Sequence, residues 1–345
     1  MGPATSLELP ADIRRTIVRA VILPSWAVIL ILTLLFVTGL KATGPVQYAP
    51  FVLSLVVFGL PHGAVDHLVP GRLQGAVTAR SVVGVALLYA ALAAAYLVFW
   101  NVAPAAAFIF FILFTWFHWG QGDLYSQSAF FGRQHLSPMG LKVLMVVVRG
   151  GLPMLVPLLA FPGVYREVAG NMVGLFAAPG MPAWLFGPLF RVGAGSIFCV
   201  LALGMFVWSY RVTGPGTRTA LYLDGVEVVL LAAYFAVVPP VISIGLYFCL
   251  WHSPRHIVRL MLLSPASLSA LRKGGILPAL KDFARDAAPL TLAALVLLAG
   301  LYVLTPGGVQ GAASYLALYL VLISLLTLPH VAVVGLMDRR QGLWR

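Results

Sequence analysis

The tightest constraint on this chain is a series of apolar runs, each long enough to cross a bilayer. Ten segments of roughly 18 or more mostly apolar residues stand out: 22–41, 48–66, 81–100, 103–120, 139–160, 184–208, 219–238, 240–262, 287–305 and 312–336. Backbone surrounded by lipid must satisfy its hydrogen bonds internally, so such segments are helices or barrel strands. Barrel strands alternate polar and apolar residues over about ten positions, and these runs do not. Of the 345 residues, 61% are hydrophobic and 9% charged, where a soluble domain carries about a quarter charged. The chain therefore reads as all-α, a polytopic transmembrane helical bundle of about ten spans, with a range of eight to ten. It reads as one integral membrane domain over 1–345: an N-terminal segment 1–21, a bundle 22–336 and a tail 337–345. The piece 161–183 is broken by Gly and Pro and is expected to lie on the surface or to re-enter.

The net charge of +12 is explained by topology. With a cytoplasmic N-terminus, only Lys41 and Arg166 fall outside, and Arg149 and Arg191 lie within spans. The remaining eighteen of 22 basic residues share the inner face, as the positive-inside rule requires. An even number of spans with both termini cytoplasmic, in a multi-pass cell-membrane protein, follows. No aromatic-basic motif accompanies the charge, so no nucleic-acid partner is expected. No short apolar core with a small-residue cleavage pattern opens the chain, so no removable signal peptide is expected. Cys199 and Cys249 sit inside apolar runs without a CxxC motif and read as small apolar fillers.

Six of the seven histidines fall in four clusters. His62 and His67 close the second span, His118 the fourth, and His252 and His256 the eighth, while His330 nears the end of the tenth. All four clusters lie toward the C-terminal ends of even-numbered spans, and so at a similar depth. Imidazole is a favoured ligand for iron, copper and zinc, and ionisable groups inside a membrane mark functional sites. Single histidines can equally be satisfied helix contacts. His62 and Asp66 share a helix face, so Asp66 can hold a ring nitrogen of a ligand histidine, its neighbour's or another helix's. His67 lies about 140° from His62 around a regular helix, an unnatural angle for joint ligation. His252 and His256 share a face unless Pro254, at the first position of a new helix capped by Ser253, leaves His252 outside it. Pro61 and Pro329 each free a carbonyl one turn back.

Other polar residues flank these motifs. Gln121 and Asp123 follow His118, and Asp123 is a candidate to orient an imidazole. Asp224 and Glu227 open the seventh span, and with Arg255 and Arg259 read as interfacial charges. Arg149 is deep enough to need a partner, and His135 reads as a solvated loop residue. The aromatic residues Trp116, Phe117, Trp119, Tyr247, Phe248 and Trp251 form either an interfacial belt or the wall of a site for a long apolar substrate.

The motifs "GLPHGAVDH", "WFHWGQGD", "WHSPRH" and "LPHVAVV", in this order at these span ends, resemble the Brp/Blh family. Those proteins are membrane β-carotene 15,15′-dioxygenases that supply retinal to microbial rhodopsins. The resemblance runs from roughly the second span to the last, and the first span looks like an extension relative to shorter members. It implies a mononuclear non-haem iron(II) site near the cytoplasmic face, held by His62, His118, His252 and His256. His330 is then a reserve ligand or an orienting group, beside Asp66, His67, Gln121 and Asp123. The implied substrates are β-carotene, taken from the lipid bilayer, and O2. The implied product is all-trans-retinal, two per carotene, passed to a microbial rhodopsin. Two other classes compete. Membrane lipid desaturases and hydroxylases carry several HxxxH and HxxHH boxes for two irons, where this chain has one HxxxH box. A haem-binding or transport protein is the non-enzymatic alternative. A retinal-binding rhodopsin needs a lysine deep in a span, and Lys41, Lys142, Lys273 and Lys281 lie at ends or in loops.

Overall fold

The structure, a computed structural model, describes residues 9–132, 134–176, 180–305 and 310–345. Among the described residues it is helical throughout, with no strand. In chain order the helices are α1 (Ala11–Val37), α2 (Gly44–Leu73), α3 (Ala79–Val102), α4 (Pro104–Ala129), α5 (Met139–Ala160) and α6 (Pro162–Gly174). There follow α7 (Pro188–Val212), α8 (Pro215–Val237), α9 (240–261), α10 (Pro265–Arg272), α11 (Ile276–Leu304) and α12 (Gly311–Gln341). Nine of these, all but α6, α9 and α10, are long and apolar enough to cross a membrane. The outward faces are hydrocarbon, with Leu189 90% and Val102 78% exposed, as lipid contact allows and water does not.

The segment expected as an eighth span is α9, and it differs from the rest. It is the most polar of the deep helices, carrying His252, Arg255, His256 and Arg259, yet all four of those side chains are buried. It is helical in three pieces: Pro240–Tyr247, a π-turn Phe248–His252, and Ser253–Met261. The π-turn accommodates Pro254 without ending the helix, so His252 stays in helical register with His256. Two further π-turns are Ser54–Phe58, which precedes Pro61 in α2, and Val18–Ile22 in α1. Each π-turn inserts a residue and rotates the downstream helix by about 100°, a device common at functional sites.

Small residues bring the central helices close. A Cβ on Gly120 of α4 would lie 2.1 Å from the Val146 carbonyl oxygen of α5, and one on Gly150 of α5 would lie 1.9 Å from that of Trp116. Both glycines are therefore obligatory at this crossing.

Several helices outrun their expected limits. The fourth span continues from residue 120 to Ala129, the tenth to Gln341, and the ninth begins at Ile276 rather than 287. Hydropathy stops at polar residues, but here Gln121, Asp123 and Asp338 are buried and paired. At the N-terminus, helix begins at Ala11, with Ile13 and Ile17 buried, so part of the expected 1–21 segment belongs to the first helix and residues 1–8 lie outside the described residues. The 337–345 tail is also packed: Lys142 Nζ donates to the Leu343 carbonyl at 2.9 Å and to that of Arg345 at 2.5 Å. The 161–183 piece forms α6, whose Tyr165, Ala169, Met172 and Val173 are buried against α4; residues 177–179 lie outside the described residues.

The charges read as interfacial are mostly interior. Asp224 and Glu227 are each 1% exposed, and each lies 2.5 Å from Arg149. Asp123 lies 3.7 Å from the same guanidinium. Gln127 and Trp26 donate to Glu227 at 2.7 and 3.0 Å, which ties α1 to the network. His135 is buried, with Nε2 3.3 Å from Asp224. Arg255 lies over the Trp251 ring at 3.8 Å, and Arg259 pairs with Asp338 at 2.7 Å. The helix ends are thus wide enough to bury charge, a feature that lipid-facing hydropathy does not report. Arg149→Ala removes the guanidinium that pairs with both Asp224 and Glu227, at a cost of about 3–5 kcal/mol. Thermal unfolding in detergent should show a clearly lowered midpoint, and an unchanged midpoint would contradict this account of the network.

Candidate metal centre

Four helices deliver five histidines to one point. His62 comes from α2, His118 from α4, His252 and His256 from α9 and His330 from α12, and all five are at most 8% exposed. His118 and His330 each lie eleven residues before the end of their helix, so the cluster sits about 16 Å inside those ends. Ring centroids lie 5.0 Å apart for His62–His330, 4.8 Å for His118–His252 and His118–His330, and 4.9 Å for His256–His330. Coordinating atoms of His62, His118 and His330 lie within 4.8 Å of one another, as do those of Asp66, His256 and His330. The His118 and His252 Nε2 atoms are 3.2 Å apart. Two nitrogens bound to one ion at about 2.1 Å each would sit about 3 Å apart.

The outer ring nitrogens fix the inner ones. His62 Nδ1 donates to the Gly59 carbonyl, one turn back beside Pro61. His118 Nδ1 donates to Gln121 Oε1 at 3.4 Å, and Gln121 in turn donates to Asp338 at 2.7 Å. His330 Nδ1 donates to Asp66 Oδ2 at 2.7 Å. With the Nδ1 proton committed, each Nε2 presents a lone pair to the cluster. This is the arrangement by which outer partners set the tautomer of a metal-ligating histidine.

The cluster's own polar needs are not met within the protein. His256 Nε2 and His330 Nε2 are buried without a hydrogen-bond partner. An unpartnered polar atom away from water costs on the order of 1–3 kcal/mol. Five clustered imidazoles, three of them with Nδ1 committed to outer partners, fit a transition-metal cation in their chemistry and in their spacing.

Each expected residue has a definite place. His62, His118, His252 and His256 all lie in the cluster, and the His252 and His256 rings are parallel within 8° at 6.5 Å. His330, expected as a reserve, belongs to both groups of close coordinating atoms. Asp66 holds His330 of α12 rather than its own neighbour His62. Gln121 holds His118, as its three-residue spacing allows. Asp123 does not orient an imidazole. It lies five residues after His118, about 140° round the helix, and accepts instead from Trp251 Nε1 at 3.0 Å. His67 is half-buried, donates Nδ1 to the Ala64 carbonyl at 3.0 Å, and stands outside both groups of coordinating atoms. The sequence reading missed Tyr89 of α3, whose hydroxyl donates to the same Asp66 Oδ2 at 2.6 Å. A lone tyrosine in an apolar run gives no signal of such a contact.

The aromatic residues divide. Trp119 and Phe248 stack at 6.0 Å and line an apolar cavity beside His62 and His118. Trp116 bonds the Val147 carbonyl at 2.8 Å, Phe117 faces outward, and Tyr247 and Trp251 are fully buried.

Known proteins are similar to this chain in sequence. The sequence profile of the family described as beta-carotene 15,15′-dioxygenase matches residues 53–338. The chain belongs to the β-carotene 15,15′-dioxygenase family. It is 41% identical over 343 residues to the probable beta-carotene 15,15′-dioxygenase Blh of Halobacterium salinarum, covering 99% of both chains. It is 32% identical over 321 residues to the same organism's probable beta-carotene 15,15′-dioxygenase Brp, covering 87% of this chain and 86% of the relative. The beta-carotene 15,15′-dioxygenase of the uncultured marine bacterium 66A03 is 26% identical over 211 residues, or 59% of this chain and 66% of the relative. No solved structure matches. The dioxygenase-family match spans all five clustered histidines and begins after α1, the helix that read as an extension.

The geometry ranks the histidines. His330→Ala and Asp66→Asn should weaken retention of an added transition metal about 10–100-fold, while His67→Ala should leave it unchanged. Metal content after dialysis against a graded chelator measures this, and equal loss in all three variants would contradict the ranking.

Proposed function

We propose that this chain cleaves the central 15,15′ double bond of β-carotene with O2, giving two molecules of all-trans-retinal. The observation that carries the reading is the convergence of five buried imidazoles beside an apolar cavity, in a chain 41% identical end to end to a relative named for this reaction. The balance needs no further reductant: one carbon–carbon double bond and the dioxygen bond break, and two aldehyde C=O bonds form.

The metal we propose is a single iron(II), held by His62, His118, His252 and His256, with His330 as a further donor. When bound, iron(II) supplies the redox-active centre that lets triplet dioxygen react with the polyene. The protein's residues do the rest. Asp66, Gln121 and the Gly59 carbonyl hold three imidazoles as Nε2 donors. Trp119 and Phe248 offer flat apolar walls to a polyene and favour positive charge developing along it. The surrounding apolar lining excludes water, which protects a reactive intermediate from side reactions. The substrate dissolves in the bilayer and enters from it. We place the chain in the cell membrane with the site toward the cytoplasmic half, from the basic-residue distribution, and take a retinal-binding rhodopsin as the natural recipient of product.

Expression in β-carotene-producing cells tests this. Colour should fade as retinal appears, with one iron per chain in the purified protein. Intact, iron-loaded protein that leaves carotene untouched would falsify the reading, and two irons per chain would favour a desaturase-like centre. His118→Ala and His256→Ala should each lower turnover by at least about 1,000-fold, on the scale of losing an electrostatic catalytic element, with normal membrane insertion.

A further inference from the structure

Two apolar cavities meet at the histidines, and their far ends differ. The first runs from His62 and His118 along α4 and α12 to Phe108, Tyr165 and Leu316. The second lies between α2, α3, α11 and α12 and touches His62, Asp66 and His330. His62, Ile323 and Thr327 line both, so the two cavities adjoin at the cluster itself. The second cavity has lining residues on the outer surface: Leu290 and Leu297 are each 42% exposed, and Ala86 and Ala293 are exposed beside them. That cavity therefore opens to lipid between α3 and α11. Among the described residues, no exposed one lines the first cavity, and Val168, Val241 and Leu316 separate its far end from a third hollow beside Tyr48 and Glu167. Phe108, Tyr165 and Leu316, at its far end, are 5%, 7% and 7% exposed.

We propose that the first cavity is a ruler for the cleavage position, a chamber with Phe108, Tyr165 and Leu316 as its end wall. The ruler rests on the proposed carotene cleavage. A linear polyene enters end-first between α3 and α11, passes Ile323 and Thr327, and stops when its leading ring meets the wall. The bond then lying beside the histidines is fixed by the depth of the chamber. Phe108 lies ten residues before His118, and Leu316 fourteen before His330. The wall is thus about 15–21 Å along those helices from the cluster. A chamber of this form counts from one ring and does not sense the substrate's midpoint. It also needs no polar group to recognise the substrate, which suits a hydrocarbon. Phe108, Tyr165 and Leu316 are specificity-determining residues on this account.

Two measurements test it. Leu316→Trp shortens the chamber, so the polyene should stop early and be cut nearer its leading end. Chromatography of the products should show unequal apocarotenals, with the share of retinal lowered on the order of tenfold. Retinal as the only product of an active Leu316→Trp enzyme overturns the ruler. The second measurement needs no variant and decides the matter if Leu316→Trp is inactive. Wild-type protein is given a carotene truncated at one end. The intact ring should lead, and the ring-bearing product should be retinal. Cleavage of the truncated polyene at its middle, or at any bond that does not free retinal, overturns the ruler. Failure of wild-type protein to form retinal from β-carotene itself would instead remove the proposed function on which the ruler rests.

Discussion

A polar side chain buried in a lipid-embedded bundle cannot turn to water, so it must find its partner inside the protein. That constraint organises this structure. The chain buries two groups of polar residues in adjoining regions of the bundle, and they satisfy the constraint in different ways. Around Arg149 one buried guanidinium is ion-paired to Asp123, Asp224 and Glu227. Around His330 imidazoles predominate. Five imidazoles gather with one carboxylate, Asp66, and two of the inward nitrogens have no partner. The first group explains itself as structure. The second fits the proposed metal ion.

The backbone is shaped to serve the histidine cluster. The π-turn Ser54–Phe58 sits just upstream of the histidine motif of α2, and the π-turn Phe248–His252 lies within that of α9. Pro61 and Pro329 precede His62 and His330, and the Gly59 carbonyl beside Pro61 takes the His62 proton. A clamp from a separate helix adds rigidity, since Tyr89 and His330 both donate to Asp66 Oδ2. Such outer contacts hold ligand rings in place before any ion arrives, which lowers the cost of organising the site. The neighbouring apolar cavities share His62, so the fold places apolar space beside the histidine cluster.

Much of this was legible in the residues. The apolar runs marked the helices, and the placement of His62, His118, His252, His256 and His330 toward the ends of even-numbered spans implied a common depth. The spacing rule also separated His62 from His67, because helix geometry is regular enough to carry that argument. What the sequence concealed was partnership across helices. Asp123 looked like a histidine partner from its position in the motif, but its helix angle turns it to Trp251 and Arg149. Asp224, Glu227, Arg255 and Arg259 looked interfacial, and His135 solvated, because hydropathy registers residue type and not neighbours. Tyr89 carried no signal at all, since its role exists only through the contact of α3 with Asp66.

The central claim is that the five imidazoles form one metal site. Anomalous scattering at the iron edge from crystals of iron-loaded protein measures it directly. The account predicts a single peak per chain at bonding distance from Nε2 atoms of the α2, α4 and α9 histidines, with His330 beside it. A peak at the carboxylates around Arg149, or two peaks within the bundle, would contradict it.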